Sequence, residues 1–108
     1  VPLAVVLSKI DKIWSMFDEQ APTRLPSAHA GHYAEYDGLD VHEEVRAWLD
    51  RWYGPELVHG IAADFPVHRY FGLSALGAGA CPAGHRVTDP MLWLLVRFGA
   101  IRTWRGRR

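Results

Sequence analysis

Cys81 is the only cysteine among the 108 residues, so no intramolecular disulfide can staple this chain. The fold must be held by apolar burial instead, and a chain of this length can bury one core without a metal or a disulfide. The composition supplies that core. Hydrophobic residues make up 49% and charged residues 22%, which places the chain with globular domains and away from disordered ones. Five Trp, four Tyr and four Phe provide large apolar surfaces. One globular domain over 1–108 is expected, with a basic tail at about 100–108.

A lone thiol fits a reducing compartment, and a cytoplasmic location is expected. The apolar start, Val1 to Leu7, has no basic residues before it and runs into Lys9, Asp11 and Lys12. It does not read as a signal peptide. The apolar run Met91 to Val96 is far below the roughly 20 residues a spanning helix needs. No membrane partner is expected.

Apolar spacing and breakers set the element order. Ile10, Ile13, Trp14 and Phe17 recur at helical spacing. Two readings compete there: one helix from about Leu3 to Glu19, or a short strand followed by a helix from Lys9. Ser8 with Asp11 resembles a helix cap. Pro22 and Pro26 end the segment. His32 to Asp37 alternates loosely and suits a short strand. Asp40 and Glu43 have capping-box spacing, which predicts a helix over about 40–53 with Val41, Val45, Trp48, Leu49 and Trp52 on one stripe. Gly54 and Pro55 then close it and open a second helix to about residue 63. Val67 to Leu76 fits either period. Gly77 to Gly84 is glycine- and alanine-rich and reads as a loop. Asp89-Pro90 reads as an N-cap and first turn of a helix over 90–98. Ile101 and Trp104 suit a last strand or a packed tail. The expected fold is mainly helical or small α+β, with three to four helices and a short strand pair. The expected core is Ile10, Ile13, Trp14, Phe17, Val45, Trp48, Leu49, Trp52, Leu92, Leu95 and Val96.

The formal net charge is zero but unevenly placed. Residues 1–64 carry five Lys/Arg against eleven Asp/Glu, and residues 65–108 carry seven Arg against Asp89 alone. Either the two halves complement one another, or each faces a different partner.

No P-loop, dinucleotide fingerprint, nucleophile elbow or H-E-x-x-H motif is present, so no catalytic residues are assigned. Three functions fit what remains. The leading one is a non-enzymatic protein-interaction module of inhibitor, antitoxin or adaptor type. It binds another protein or itself through Glu43, Glu44, Arg102, Trp104 and Arg105, residue types that favour interfaces. The second is a small zinc-binding domain. His29 with His32 and Cys81 with His85 are two short-spaced pairs that together fill a tetrahedron. The third is a nucleic-acid accessory domain. The stretch Arg97 to Arg108 holds five Arg and Trp104, suited to phosphate contact and base stacking, although the overall pI of 7.2 is not that of a basic binder.

Overall fold

The computed structural model describes residues 2–29 and 33–99, together with the backbone of Thr103 and Trp104. In chain order the elements are strand β1 (Leu3–Leu7), a 3-10 helix (Ile10–Met16), strand β2 (Tyr33–Ala34), helix α1 (Glu35–Tyr53), helix α2 (Pro55–Asp64), strand β3 (His68–Gly72), helix α3 (Asp89–Arg97) and strand β4 (Thr103–Trp104). The described residues form a small α+β domain with four helical segments.

β1 and β3 pair in parallel, Leu3 opposite His68 and Leu7 opposite Gly72. Two parallel strands need a long crossover, and here α1 and α2 supply it. Alternation along the strands divides the apolar side chains between two faces. Val5, Leu7 and Tyr70 pack against Val41, Val45 and Leu49 of α1 and Val58 of α2. Ala4 and Phe71, on the other face, pack against Trp93 of α3 and Tyr33 of β2. The pair is thus sandwiched between α1 with α2 and α3. β2 and β4 form a second parallel pair, Tyr33 opposite Thr103.

At the start of the chain, strand followed by helix is the reading that holds, because Lys9 takes a left-handed conformation that no continuous helix passes through. The helix after it is a 3-10 helix over Ile10–Met16, shorter than expected, and no side chain caps it. α1 begins at Glu35, five residues before Asp40, so Asp40 and Glu43 lie inside the helix and form no capping box. α3 begins at Asp89 with Thr88 in the capping position. The core also differs. Trp52 is exposed, while Tyr33, Tyr70, Phe71 and Trp93 are buried. These four sit on short strands or on a helix apolar all round, where sequence period gives no face. Among the described residues no helix is long and apolar enough to cross a membrane.

Candidate functional site

In open sheets of parallel strands, ligands bind in the crevice beyond the carboxyl ends of the strands. The carboxyl ends of β1 and β3 lie side by side at Leu7 and Gly72. Beyond them is a cavity of about 380 Å³, within the range of small-molecule sites. Ser8, Lys9, Asp11 and Lys12 form one wall, and the segment from Leu73 to Ala78 forms the other.

Local structure explains the first wall. Lys9 has φ 60°, ψ 41°, a conformation that costs a side-chain-bearing residue roughly 1–2 kcal/mol. It is held there from both sides. The Ile10 amide donates to the Leu73 carbonyl at 3.1 Å, the Leu73 amide donates to the Leu7 carbonyl at 3.1 Å, and Ile10 is fully buried. The kink turns the chain so that Asp11 faces the second strand's exit.

The second wall is organised by Ser74. Its hydroxyl donates to Asp11 Oδ1 at 2.7 Å and accepts from the Gly77 amide at 3.0 Å. Its own amide donates to the His85 carbonyl at 3.0 Å. Gly77 has φ +73°, and a Cβ there would run into the backbone of Cys81 to Ala83. Ala78 and Cys81 exchange backbone hydrogen bonds and close the loop. Cys81 is buried, and burial pushes its thiol pKa up although the Ser74 hydroxyl opposes the shift. A thiol so protonated is no activated nucleophile. The pocket therefore offers one oriented carboxylate, two lysines, and apolar walls from Leu73, Ala75 and Leu76.

A second concentration of charge is buried elsewhere. Arg86, also left-handed at φ 57°, has a fully buried guanidinium. Nη1 donates to Asp37 Oδ2 at 2.7 Å and Asp89 Oδ2 at 2.9 Å. Nη2 donates to Asp37 Oδ1 at 2.9 Å and the Pro22 carbonyl at 2.8 Å, and Nε donates to the Leu25 carbonyl at 3.0 Å. Burial disfavours the charge, but the Asp37 and Asp89 partners outweigh it, and the Arg86 pKa is raised. Arg's planar fork suits such a site. His29 stacks on Tyr33 with centroids 4.5 Å apart, and its Nε2 lies 3.5 Å from both Asp37 Oδ2 and Asp89 Oδ1.

His29, Asp37 and Asp89 bring their donor atoms within 4.8 Å of one another, close enough to suggest a metal site. The donor chemistry argues otherwise. His29 Nδ1 accepts the Ala34 amide at 2.8 Å, so the ring proton of neutral His29 is on Nε2, facing the carboxylates. A metal-bound histidine does the reverse, donating from its second nitrogen. Binding an ion through Nε2 would leave both nitrogens without a proton. Arg86 also already supplies a cation to the same Asp37 oxygen. The cluster does not fit a metal ion; it ties the 22–29 loop to the starts of α1 and α3.

The residues singled out from sequence are scattered. His85 Nε2 is 2.7 Å from the Thr23 carbonyl and its ring packs edge-on to Trp14. Among the described residues neither Cys81 nor His85 belongs to a group of three donor atoms with His29, and His32 lies outside the described residues. Glu43 is exposed and pairs with Arg46 at 2.9 Å. Glu44 accepts the Thr23 amide at 2.8 Å. Arg102 and Arg105 lie outside the described residues, and Trp104 contributes backbone pairing to Ala34. The residues that build the pocket, Lys9, Asp11 and Ser74, were not singled out as site residues. Lys9 and Asp11 carried a signal, two and four residues after the apolar run that proves to be β1, whereas Ser74 follows a His-Arg-Tyr-Phe-Gly strand that is no apolar run. Arg86 carried no such signal. Comparison of the chain with protein-family models, curated proteins and solved structures finds no match.

Proposed function

We propose that this chain is a small-molecule-binding domain whose pocket receives a nucleobase with two adjacent N–H donors, which among the common bases is guanine. The observation that carries this reading is the Asp11 carboxylate, fixed by the Ser74 hydroxyl at the carboxyl ends of two parallel strands. A carboxylate only accepts hydrogen bonds, and it can accept two in parallel. The pairing edge of guanine presents N1–H and the N2 amino group side by side. Adenine and cytosine present a donor beside an acceptor, and uracil presents one donor between two acceptors. An acceptor-only carboxylate rejects those edges, because an acceptor would face an acceptor across a desolvated contact. The cavity volume suits a purine, and apolar wall residues suit its ring faces.

The test is equilibrium titration of the chain with guanosine, adenosine, cytidine and uridine monophosphates. Guanosine monophosphate is expected to bind at least about tenfold more tightly than the others, and Asp11→Asn to remove that preference, as loss of one charge-assisted pair at about 1.4 kcal/mol or more implies. Equal affinities, or a preference that survives Asp11→Asn, would sink the proposal.

The protein-interaction reading receives less from the geometry. Its acidic pair is divided, Glu43 held by Arg46 and Glu44 by the Thr23 amide. Of the zinc reading's residues, His29, Cys81 and His85 are described and form no common group, and most residues of the nucleic-acid reading lie outside the described ones.

A further inference from the structure

We infer that Lys9 and Lys12 form a phosphate subsite of the pocket at the exits of β1 and β3, and that the ligand is a free nucleotide ending in a phosphate monoester. The base rests on the guanine reading above; the lysines hold the other end of the molecule. Lys9 and Lys12 are the only two lysines of the chain, and its ten other basic residues are all arginines. Both lysines line the cavity. The Lys12 amide donates to the Lys9 carbonyl at 3.0 Å, which sets them one helical turn apart. Like charges at that spacing repel. Among the described residues no carboxylate forms an ion pair with either lysine. Asp11, between them in sequence, is the single carboxylate on the cavity walls and is held by the Ser74 hydroxyl. Two ammonium groups against one carboxylate leave the walls net positive, in a half of the chain where acids outnumber bases by eleven to five. A local field of that sign draws an anion.

The backbone of Lys9 is the second observation. Its φ of 60° lies in the left-handed region, where a glycine sits without the steric cost of a Cβ. The bonds that the Ile10 and Leu73 amides make fix this conformation, and they would fix a glycine equally well. Strain of this kind gathers at ligand clamps, where the strained residue has a use. Here the use is an ammonium group at the cavity wall. Lysine binds phosphate as a point charge on a flexible stem. A monoester carries about −1.5 to −2 charges at pH 7 and matches two lysines. A diester carries one charge. Guanine within a nucleic-acid strand offers diesters alone, so the charge balance selects the free nucleotide.

Calorimetric titration with guanosine, guanosine monophosphate, the methyl ester of that phosphate, adenosine and adenosine monophosphate tests this. Each monophosphate is expected to bind at least about tenfold more tightly than its nucleoside, with the methyl ester between guanosine and its monophosphate. Lys9→Gly and Lys12→Gln should each narrow the gap between nucleotide and nucleoside at least about threefold. Lys9→Gly also relieves the strained backbone, so its urea midpoint should stay at or above that of the wild type, which separates lost phosphate contact from lost fold. With isotope label at lysine Cε, both lysine signals should shift in nuclear magnetic resonance spectra on adding guanosine monophosphate and stay still on adding guanosine. Equal affinities for nucleoside and nucleotide, a methyl ester that binds as tightly as the monoester, or a gap that survives both substitutions would overturn the subsite. Equal binding of the two monophosphates, with a gap that depends on the lysines, would overturn the guanine reading and uphold the subsite.

Discussion

His42 stands between α1 and the edge of β3 and holds its position as a hydrogen-bond acceptor. Its Nδ1 takes the Tyr70 amide at 3.0 Å, and its ring lies against Tyr70 and His68. Burial first, then the Arg69 charge, lower its pKa from 6.5 to about 4. The folded value lies below the unfolded one, so the neutral ring contributes its full stability above about pH 6.5, and that contribution is lost as pH falls toward about 4. Solvent screening at this part-buried ring limits the effect to the order of 1–2 kcal/mol. Urea midpoints measured across that window should fall more steeply for the wild type than for His42→Gln, whose side-chain carbonyl accepts the same amide without titrating. Parallel slopes would show that His42 does not hold the edge. Arg86 makes a different residue-scale point. It combines a left-handed backbone with a buried charge, two costs of the kind that persist only where surroundings over-determine them. Two carboxylates and two carbonyls within 3.0 Å supply that surrounding.

Among the elements, α1 carries the clearest dependence of packing on one residue. Gly38 lies in its first turns, and a Cβ there would overlap the buried Tyr33 ring. Alanine is the better helix former by roughly 1 kcal/mol, so propensity alone makes Gly38→Ala stabilising. Overpacking typically costs about 1–3 kcal/mol, and the Tyr33 ring has little room to yield, stacked on His29 and bonded through its hydroxyl to Arg69 at 3.0 Å. Gly38→Ala should therefore lower the urea midpoint, and Tyr33→Leu in the same chain should recover part of the loss. A raised midpoint would mean that the helix and ring do not meet. This contact also shows where reading by sequence stops. Elements with a strong period and a breaker were legible: Val41, Val45 and Leu49 give the buried stripe of α1, and Gly54-Pro55 marks its junction with α2. The early start of α1 was not legible, because Glu35 to Gly38 carries no apolar period and its place is fixed by Tyr33 just before it and by Arg86, 49 positions from Asp37. β3 was ambiguous for a related reason. Its side chains alternate between two apolar faces, and only pairing with β1 distinguishes that from a buried helix. At the site, Asp11 was visible as a residue but read as part of a cap, since its partner Ser74 is 63 positions away.

For the whole molecule that separation has a thermodynamic consequence. The pocket exists only when the exits of β1 and β3 are brought together by the folded core between α1 with α2 and α3. An unfolded chain holds Ser8–Lys12 and Leu73–Ala78 apart and has no site to offer. A ligand that binds only the folded state stabilises it by mass action, by about 2.7 kcal/mol when present at a hundred times its dissociation constant. For a domain near this size each kcal/mol raises Tm by roughly 4–8 °C, so guanosine monophosphate at that excess should raise Tm by about 10–20 °C. Adenosine monophosphate at the same concentration should do far less. Asp11→Asn should cost the guanosine shift without removing the fold, because Asp11 is only part-buried and the Ile10 anchor beside it is untouched. Thermal denaturation of both chains, each with both nucleotides, separates the two contributions. A shift common to both nucleotides would assign the stabilisation to the phosphate group, which Lys9 and Lys12 can attract without any contact to the base, and the carboxylate of Asp11 would then have no part in recognition.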